Sequence, residues 1–290
     1  MKNHNLYGII IALIGVFLIS PDTLLMIWGE MSAFQMVAWR GLLSGVTYLI
    51  IWFITRPKFI TSDISVLFSK WGLIISGCYF INTTFFCIGI AIAPAPVVLF
   101  CIATAPVFAA ILGQFILKEP SNKLTWIAIS MVLIGISISI AGANTQKISF
   151  DINIIYGAIC GLASAITIAL SYVMVRQKKG LPFVLPMCSG VIFSGLFALV
   201  LTGFPNMMEG NILPIIITGL IIVPVPMYLL SYASRFTQAT NVSLILLLES
   251  ILGPLWIWLG TGDQPANLTI FGGFIVIIST GSYLFLSKQN

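Results

Sequence analysis

The stretch Ala239 to Leu259, ATNVSLILLLESILGPLWIWL, is apolar but for one acid, Glu249, at its midpoint. About twenty residues rising roughly 1.5 Å each match a hydrocarbon core of about 30 Å, so the stretch reads as a membrane-spanning helix. Glu249 then falls near the bilayer centre. A charged carboxylate there must face protein or a water-filled cavity, and such a residue marks a substrate or proton pathway unless it only locks neighbouring helices together. Pro254, five residues on, weakens the helix beside it.

The rest of the chain repeats the pattern. Apolar runs at about 6–26, 32–53, 71–91, 94–117, 124–141, 154–175, 182–203, 212–234, 239–259 and 267–286 predict ten spans, with short polar loops between them. With 59% hydrophobic and 7% charged residues, no soluble core could absorb this sequence. The expected fold class is an all-α polytopic membrane protein of ten transmembrane helices, with the lipid bilayer as its surroundings. The N-terminal run lacks a small-x-small cleavage site and is kept as the first span rather than a signal peptide.

Charge is a topology signal here. The net charge of +5 comes from basic residues scattered through short loops, without the clustering that nucleic-acid binding needs. A cytoplasmic start places Lys2, Arg56, Lys58, Lys70, Lys118, Lys123, Arg176, Lys178, Lys179, Arg235 and Lys288 inside and Lys147 alone outside. Both termini are therefore expected in the cytoplasm and the protein in the cell membrane. The five cysteines lie singly in apolar runs, with neither a CxxC nor a nearby histidine, which argues against disulfides, metal sites and cofactors.

Ten spans divide into five and five. A shift of 144 residues lays Ala95, Val98, Leu124, Thr125, Val132 and Ile134 over identical residues of the second half. Because five is odd, the halves, 1–145 and 146–290, must be inverted, with Glu119 inside and its counterpart Asp263 outside. Inverted repeats of this kind build carriers whose substrate site lies near the midplane.

Ala105-Pro106-Val107 in span four followed by Glu119, together with Tyr232-Ala233 and Glu249-Ser250 in the second half, resembles the EamA type of the drug/metabolite transporter superfamily. The resemblance extends over nearly the whole chain and implies a ten-span permease for small metabolites, amino acids among them. Asp263 stands where the family pattern has glutamate, and Ser250 where proline is common.

Three charges remain inside the spans. Counting from the helix ends puts Asp22 roughly 6 Å and Arg40 roughly 12 Å below the outer surface, with Glu249 near the middle. An acid would meet a substrate amine, and the guanidinium fork a substrate carboxylate; the alternative is an Asp22–Arg40 pair that neutralises itself. Ser20-Pro21-Asp22 reads as a helix break, with Asp22 able to cap the helix beyond it. Tyr79, Asn82 and Asn241 are the preferred neutral candidates at matching depth, with Gln35, Thr83, Thr84, Thr167 and Ser243 behind them. Pro224-Val225-Pro226 predicts an interruption in span eight. Glycines at 41 and 45, and at 157 and 161, have the spacing of close helix packing.

An intramembrane enzyme would need a nucleophile with its base, yet the only histidine is His4 and neither GxSxG nor HExxH occurs. No Walker sequence is present, so energy for transport would come from a gradient or from exchange. These residues point to a secondary carrier of a small polar, amino-acid-like substrate, with Glu249 as a proton-coupling site. A channel or a non-transporting scaffold is the alternative, and no motif fixes an oligomeric state.

Overall fold

The computed structural model describes residues 2–93, 95–119, 121–143, 152–262, 264 and 266–287; Pro94, Pro120, Lys147, Asp263, Pro265 and Lys288 lie outside them. Among the described residues fifteen α-helices succeed one another: α1 Lys2–Ile19, α2 Asp22–Gly29, α3 Ala33–Thr55, α4 Ile60–Leu67, α5 Lys70–Ile92, α6 Ala95–Ile102, α7 Ala105–Leu112, α8 Lys123–Ala143, α9 Ile152–Gln177, α10 Val184–Thr202, α11 Ile212–Ile217, α12 Pro224–Ala233, α13 Ala239–Leu246, α14 Glu249–Thr261 and α15 Asn267–Ser287. Nine stretches among the described residues are long and apolar enough to cross a membrane, and Lys123–Ser139 is a shorter apolar helix where the fifth span is expected. The protein is an all-α, multi-pass membrane protein.

Among the described residues, four of the spans are interrupted. α1 and α2 divide at Pro21, which has no N–H to continue the first helix. Span four divides at Ala103-Thr104, where the Thr104 hydroxyl donates to the Cys101 carbonyl at 2.6 Å. Span eight passes through a π-helical turn, Thr218–Ile222, before Pro224 opens α12, as the Pro-Val-Pro sequence predicts. Span nine divides at Leu247-Leu248, more than one turn earlier than Pro254 itself. A proline leaves the carbonyl four residues upstream without its donor and crowds it, so the disturbance falls around Ser250. There the backbone tightens into three-residue turns, and the Ser250 hydroxyl donates to the Leu247 carbonyl at 2.7 Å.

Helix packing sets which spans lie beside one another. α3 lies along α10, α5 along α9, α1 along α12, α8 along α15, and α7 against α13. A close crossing occurs at Gly41, where an added Cβ would stand 2.6 Å from the Val191 carbonyl and 2.7 Å from Gly195 Cα. The spacing at 41 and 45 is thus a packing device, and it fixes α3 one residue from Arg40. Lys70, Lys118, Arg176 and Arg235 belong to one end of the bundle, the basic end. At that end α4 is stapled to α3: Arg56 Nε and Trp52 Nε1 both donate to Asp63 Oδ2, at 2.6 and 2.9 Å. Burial works against the charged form of Asp63, but these hydrogen bonds and the Arg56 charge outweigh it and hold the carboxyl below its usual range.

Candidate functional site

The break at Pro21 puts Asp22 on the first turn of α2, facing α3. Asp22 Oδ2 accepts from Arg40 Nη2 at 2.7 Å, with 3% of Asp22 and 5% of Arg40 exposed. Asp22 does not act as a cap: no side chain caps α2, and the Asp22 Oδ2 is bonded to the guanidinium. The Arg40 Cζ also stands 5.7 Å from the centre of the Phe86 ring, a cation–π distance. Each member of the pair keeps one atom in reserve: Asp22 Oδ1 and Arg40 Nη1 are buried without a hydrogen-bond partner. An acceptor and a donor left unmade side by side are costly in a dry interior, and a ligand carrying both complements would satisfy them together.

Glu249 reaches the same region from the other half of the chain. The break at Leu247-Leu248 makes it the first residue of α14, half-buried, and α14 packs against α1 and α2. Trp256 Nε1 donates to Ser20 Oγ at 2.7 Å, tying α14 to the break that presents Asp22. Glu249 lies within electrostatic reach of both Asp22 and Arg40. Its place in a first helical turn brings positive peptide dipoles to a carboxylate in a setting that otherwise disfavours charge.

Tyr79 and Asn82 line a second feature, a small cavity between α5, α9 and α12. Cys78, Thr167, Ile168, Ser171, Tyr172 and Met227 complete its wall, and its volume of about 10 Å³ is that of a single water. The Tyr79 hydroxyl is hydrogen-bonded to Ser231 Oγ at 2.7 Å, and the Tyr172 hydroxyl is fully buried with no partner. Ser231 and Tyr172 escape a reading of the sequence. Ser231 is 152 positions from Tyr79, and Tyr172 sits in a span where an aromatic residue reads as packing.

Asn241 goes elsewhere. Its Nδ2 donates to Thr237 Oγ1 and its Oδ1 accepts from the Tyr283 hydroxyl, both at 2.8 Å, so both ends of the amide are committed near the basic end. Gln35 is also committed, accepting from Ser32 N at 2.7 Å and donating to the Asn206 carbonyl. Thr84 is bonded to Ser194 at 2.8 Å and Ser243 donates to the Ala239 carbonyl at 3.0 Å. The structure thus brings Asp22, Arg40 and Glu249 into one neighbourhood and Tyr79 with Asn82 into another, and separates Asn241 from both. No three His, Cys, Asp or Glu side chains among the described residues are grouped to hold a metal ion, and an arginine beside Asp22 already supplies the positive charge a metal would bring.

A larger groove of about 210 Å³ lies between α14 and α15, walled by Pro254, Trp258, Gly273 and Phe274, but it is apolar and offers no charged group to a substrate.

Residues 6–141 match the EamA-like transporter family. The chain is 26% identical over 197 residues to "Uncharacterized transporter YdfC" of Bacillus subtilis (strain 168), an alignment covering 65% of this chain and 62% of the relative, so that it spans less than two thirds of that relative's length. A solved structure described only as "Crystal structure of protein" superposes with a TM-score of 0.80 at 15% identity, covering 98% of each chain, and speaks for the fold alone. The family match covers the first five spans, where the resemblance seen in the residues extends over nearly all ten. Through residues 6–141, the chain is similar to the EamA-like transporter family.

Proposed function

We propose that the chain is a secondary carrier of a small zwitterionic, amino-acid-like metabolite that works by alternating access. The observation that carries this reading is the buried Asp22–Arg40 pair with one oxygen and one nitrogen unpartnered. A substrate ammonium would donate to Asp22 Oδ1 while its carboxylate accepts from Arg40 Nη1. The pair itself is neutral, so a neutral zwitterion adds no net charge to the site, and Glu249 supplies the one further group that gains or loses a proton with the cycle.

Two inverted five-span repeats, 1–145 and 146–290, fit this reading. Among the packed partners are spans two with seven, three with six, one with eight, four with nine and five with ten. Exchanging every span n for n + 5 returns the same set of pairs, the three–six pair becoming the eight–one pair. The interruptions agree as well: Ala103-Thr104 in span four plus 144 gives Leu247-Leu248 in span nine. Glu249 thereby occupies the position of Ala105, so the charge is the asymmetric addition to a symmetric frame.

A ligand-stabilisation assay tests the substrate class. Amino acids should raise the melting temperature of the purified protein more than the matching amines or the matching carboxylic acids, because only the zwitterion completes both orphan atoms. Arg40→Lys should abolish that difference, since an ammonium lacks the fork needed to hold Asp22 and substrate together. Equal stabilisation by amine, acid and zwitterion would exclude the two-point site.

Both termini are proposed to be cytoplasmic, from the eleven-to-one distribution of basic residues. Impermeant thiol reagents applied to intact cells should label Lys147→Cys and leave Lys179→Cys unlabelled. The reverse pattern overturns the orientation.

A further inference from the structure

The basic end is held by a continuous run of hydrogen bonds that the proposed substrate site does not use. Arg176, in the last turn of α9, stands at its centre. Its Nε is shared between the Glu119 carboxylate oxygens at 3.0 and 2.9 Å, and its Nη2 lies 2.8 Å from Glu119 Oε1. Its Nη1 points the other way and donates to the carbonyls of Thr237 at 2.6 Å and Ser234 at 3.4 Å. Those carbonyls belong to the turn that joins α12 to α13, at the C-terminal end of α12, where the helix dipole favours a cation.

The two sets of bonds connect different partners. α9 packs mainly against α5, α6 and α7, so the Glu119 fork lies within one group of helices; α12 packs along α1 and α13 meets α7 and α1, with smaller contacts of both on α9, so the carbonyls lie across the junction between the groups. Of the Arg176 bonds, those of Nη1 cross between the groups. The receiving turn is itself anchored, because Thr237 accepts from Asn241, Asn241 from Tyr283, and Tyr283 is bonded to Thr125 of α8 at 3.2 Å. The groups meet at this end through α7 and α13, whereas the far halves of the same spans diverge: α6 packs on α9, α5 and α8, and α14 on α1, α2 and α15.

We infer that Arg176, positioned by Glu119, is the bolt that closes the basic end of the carrier over the Tyr79–Tyr172 cavity. The chemistry suits repeated opening. When the crossing bonds break, the guanidinium keeps its carboxylate partner, and that ion pair is already near water, with 14% of the Arg176 side chain and 33% of the Glu119 side chain exposed. A carboxylate on the far side would instead strand two charges at each opening. The inference rests on the alternating-access reading for its role in transport, but its test needs no substrate.

Ser171→Cys provides the reporter. Ser171 lines the cavity five residues before Arg176 on α9, hence roughly 7 Å deeper, and is 3% exposed. In sealed vesicles of each orientation, an impermeant maleimide applied to the basic end should label it slowly in the otherwise unaltered chain. Arg176→Gln should speed labelling on the order of tenfold, as expected for losing hydrogen bonds to a charged group. Glu119→Gln should do so to a smaller degree, and Arg56→Gln, which cuts only the staple on α4, should not. Cys78 lines the same cavity, so background from the native cysteines is set by each variant without the reporter. Unchanged labelling in both Arg176→Gln and Glu119→Gln overturns the bolt, as does an equal rise with Arg56→Gln. If Arg176→Gln does not fold, Arg176→Lys decides by the same comparison. A rise seen only from the face opposite to the predicted cytoplasm would keep the bolt and overturn the orientation, so the two failures are distinct.

Discussion

Asp22→Ala and Arg40→Ala are each expected to destabilise the protein by about 3–5 kcal/mol, the cost of leaving one charge buried and unpaired. Thermal unfolding in detergent reads this as a large fall in the midpoint for either single change. The pair Asp22→Asn with Arg40→Gln should recover most of the loss, because two neutral polar groups of similar size carry no stranded charge and retain a hydrogen bond between them. With the Asp22→Asn and Arg40→Gln singles measured beside it, departure from additivity in the cycle measures the coupling. The same double variant should remain unable to take up or bind substrate, because neither the acceptor for an ammonium nor the fork for a carboxylate is left. A double variant that folds and transports at the original rate would show the pair to be structural, and the proposed two-point site would fall with it. The singles alone could not make that distinction, since a misfolded carrier is also an inactive one.

How far the residues themselves foretold this site depends on the distance over which each contact forms. Counting rise along two helices put Asp22 and Arg40 at neighbouring depths in consecutive spans joined by a short turn; the 2.7 Å contact is the pair that stood as the alternative to two separate substrate contacts. The break before Asp22 was also legible, since proline acts on its own turn. Span nine was only half legible. Pro254 announced an interruption, but its crowding acts four residues upstream, so the helix divides at Leu247-Leu248 and Glu249 becomes a first-turn residue rather than the middle of a continuous helix. That difference matters to its chemistry, because a first turn supports a carboxylate and a helix centre does not.

Asn241 shows the opposite failure. It lies eight residues before Glu249, a spacing that puts two positions on one face of an unbroken helix but about 12 Å apart along it, in the half that belongs to the basic end. Its amide is fully used there. Arg176 reads in the sequence only as a charge near a helix end, where it bears on orientation, and Glu119 as part of a family pattern and of the repeat. Their partnership spans 57 positions, and nothing local to either residue encodes it.

Glu249→Gln is expected to fold, to bind substrate and to exchange it across the membrane, but to lose accumulation driven by a pH gradient. Opposed influences meet on this carboxyl: the membrane interior and the Asp22 charge disfavour its charged form, while Arg40 and the α14 amide dipoles favour it. A group balanced in this way changes protonation when water access changes, which is what a coupling site must do as the cavity faces one side and then the other. Glutamine keeps the size and the hydrogen-bonding capacity without a proton to exchange. In proteoliposomes with an imposed pH difference, the variant should therefore equilibrate labelled substrate without concentrating it, while counterflow against unlabelled substrate persists. Glu249→Asp, which still titrates, should retain part of the accumulation. Full accumulation by Glu249→Gln would remove the proton role and leave the gradient to act elsewhere. Loss of folded protein in Glu249→Gln, with Glu249→Asp intact, would identify the charge itself as the tie between α14 and the Asp22–Arg40 pair. Both outcomes differ from the expected one in which stability and exchange survive and only the link to the proton gradient is cut.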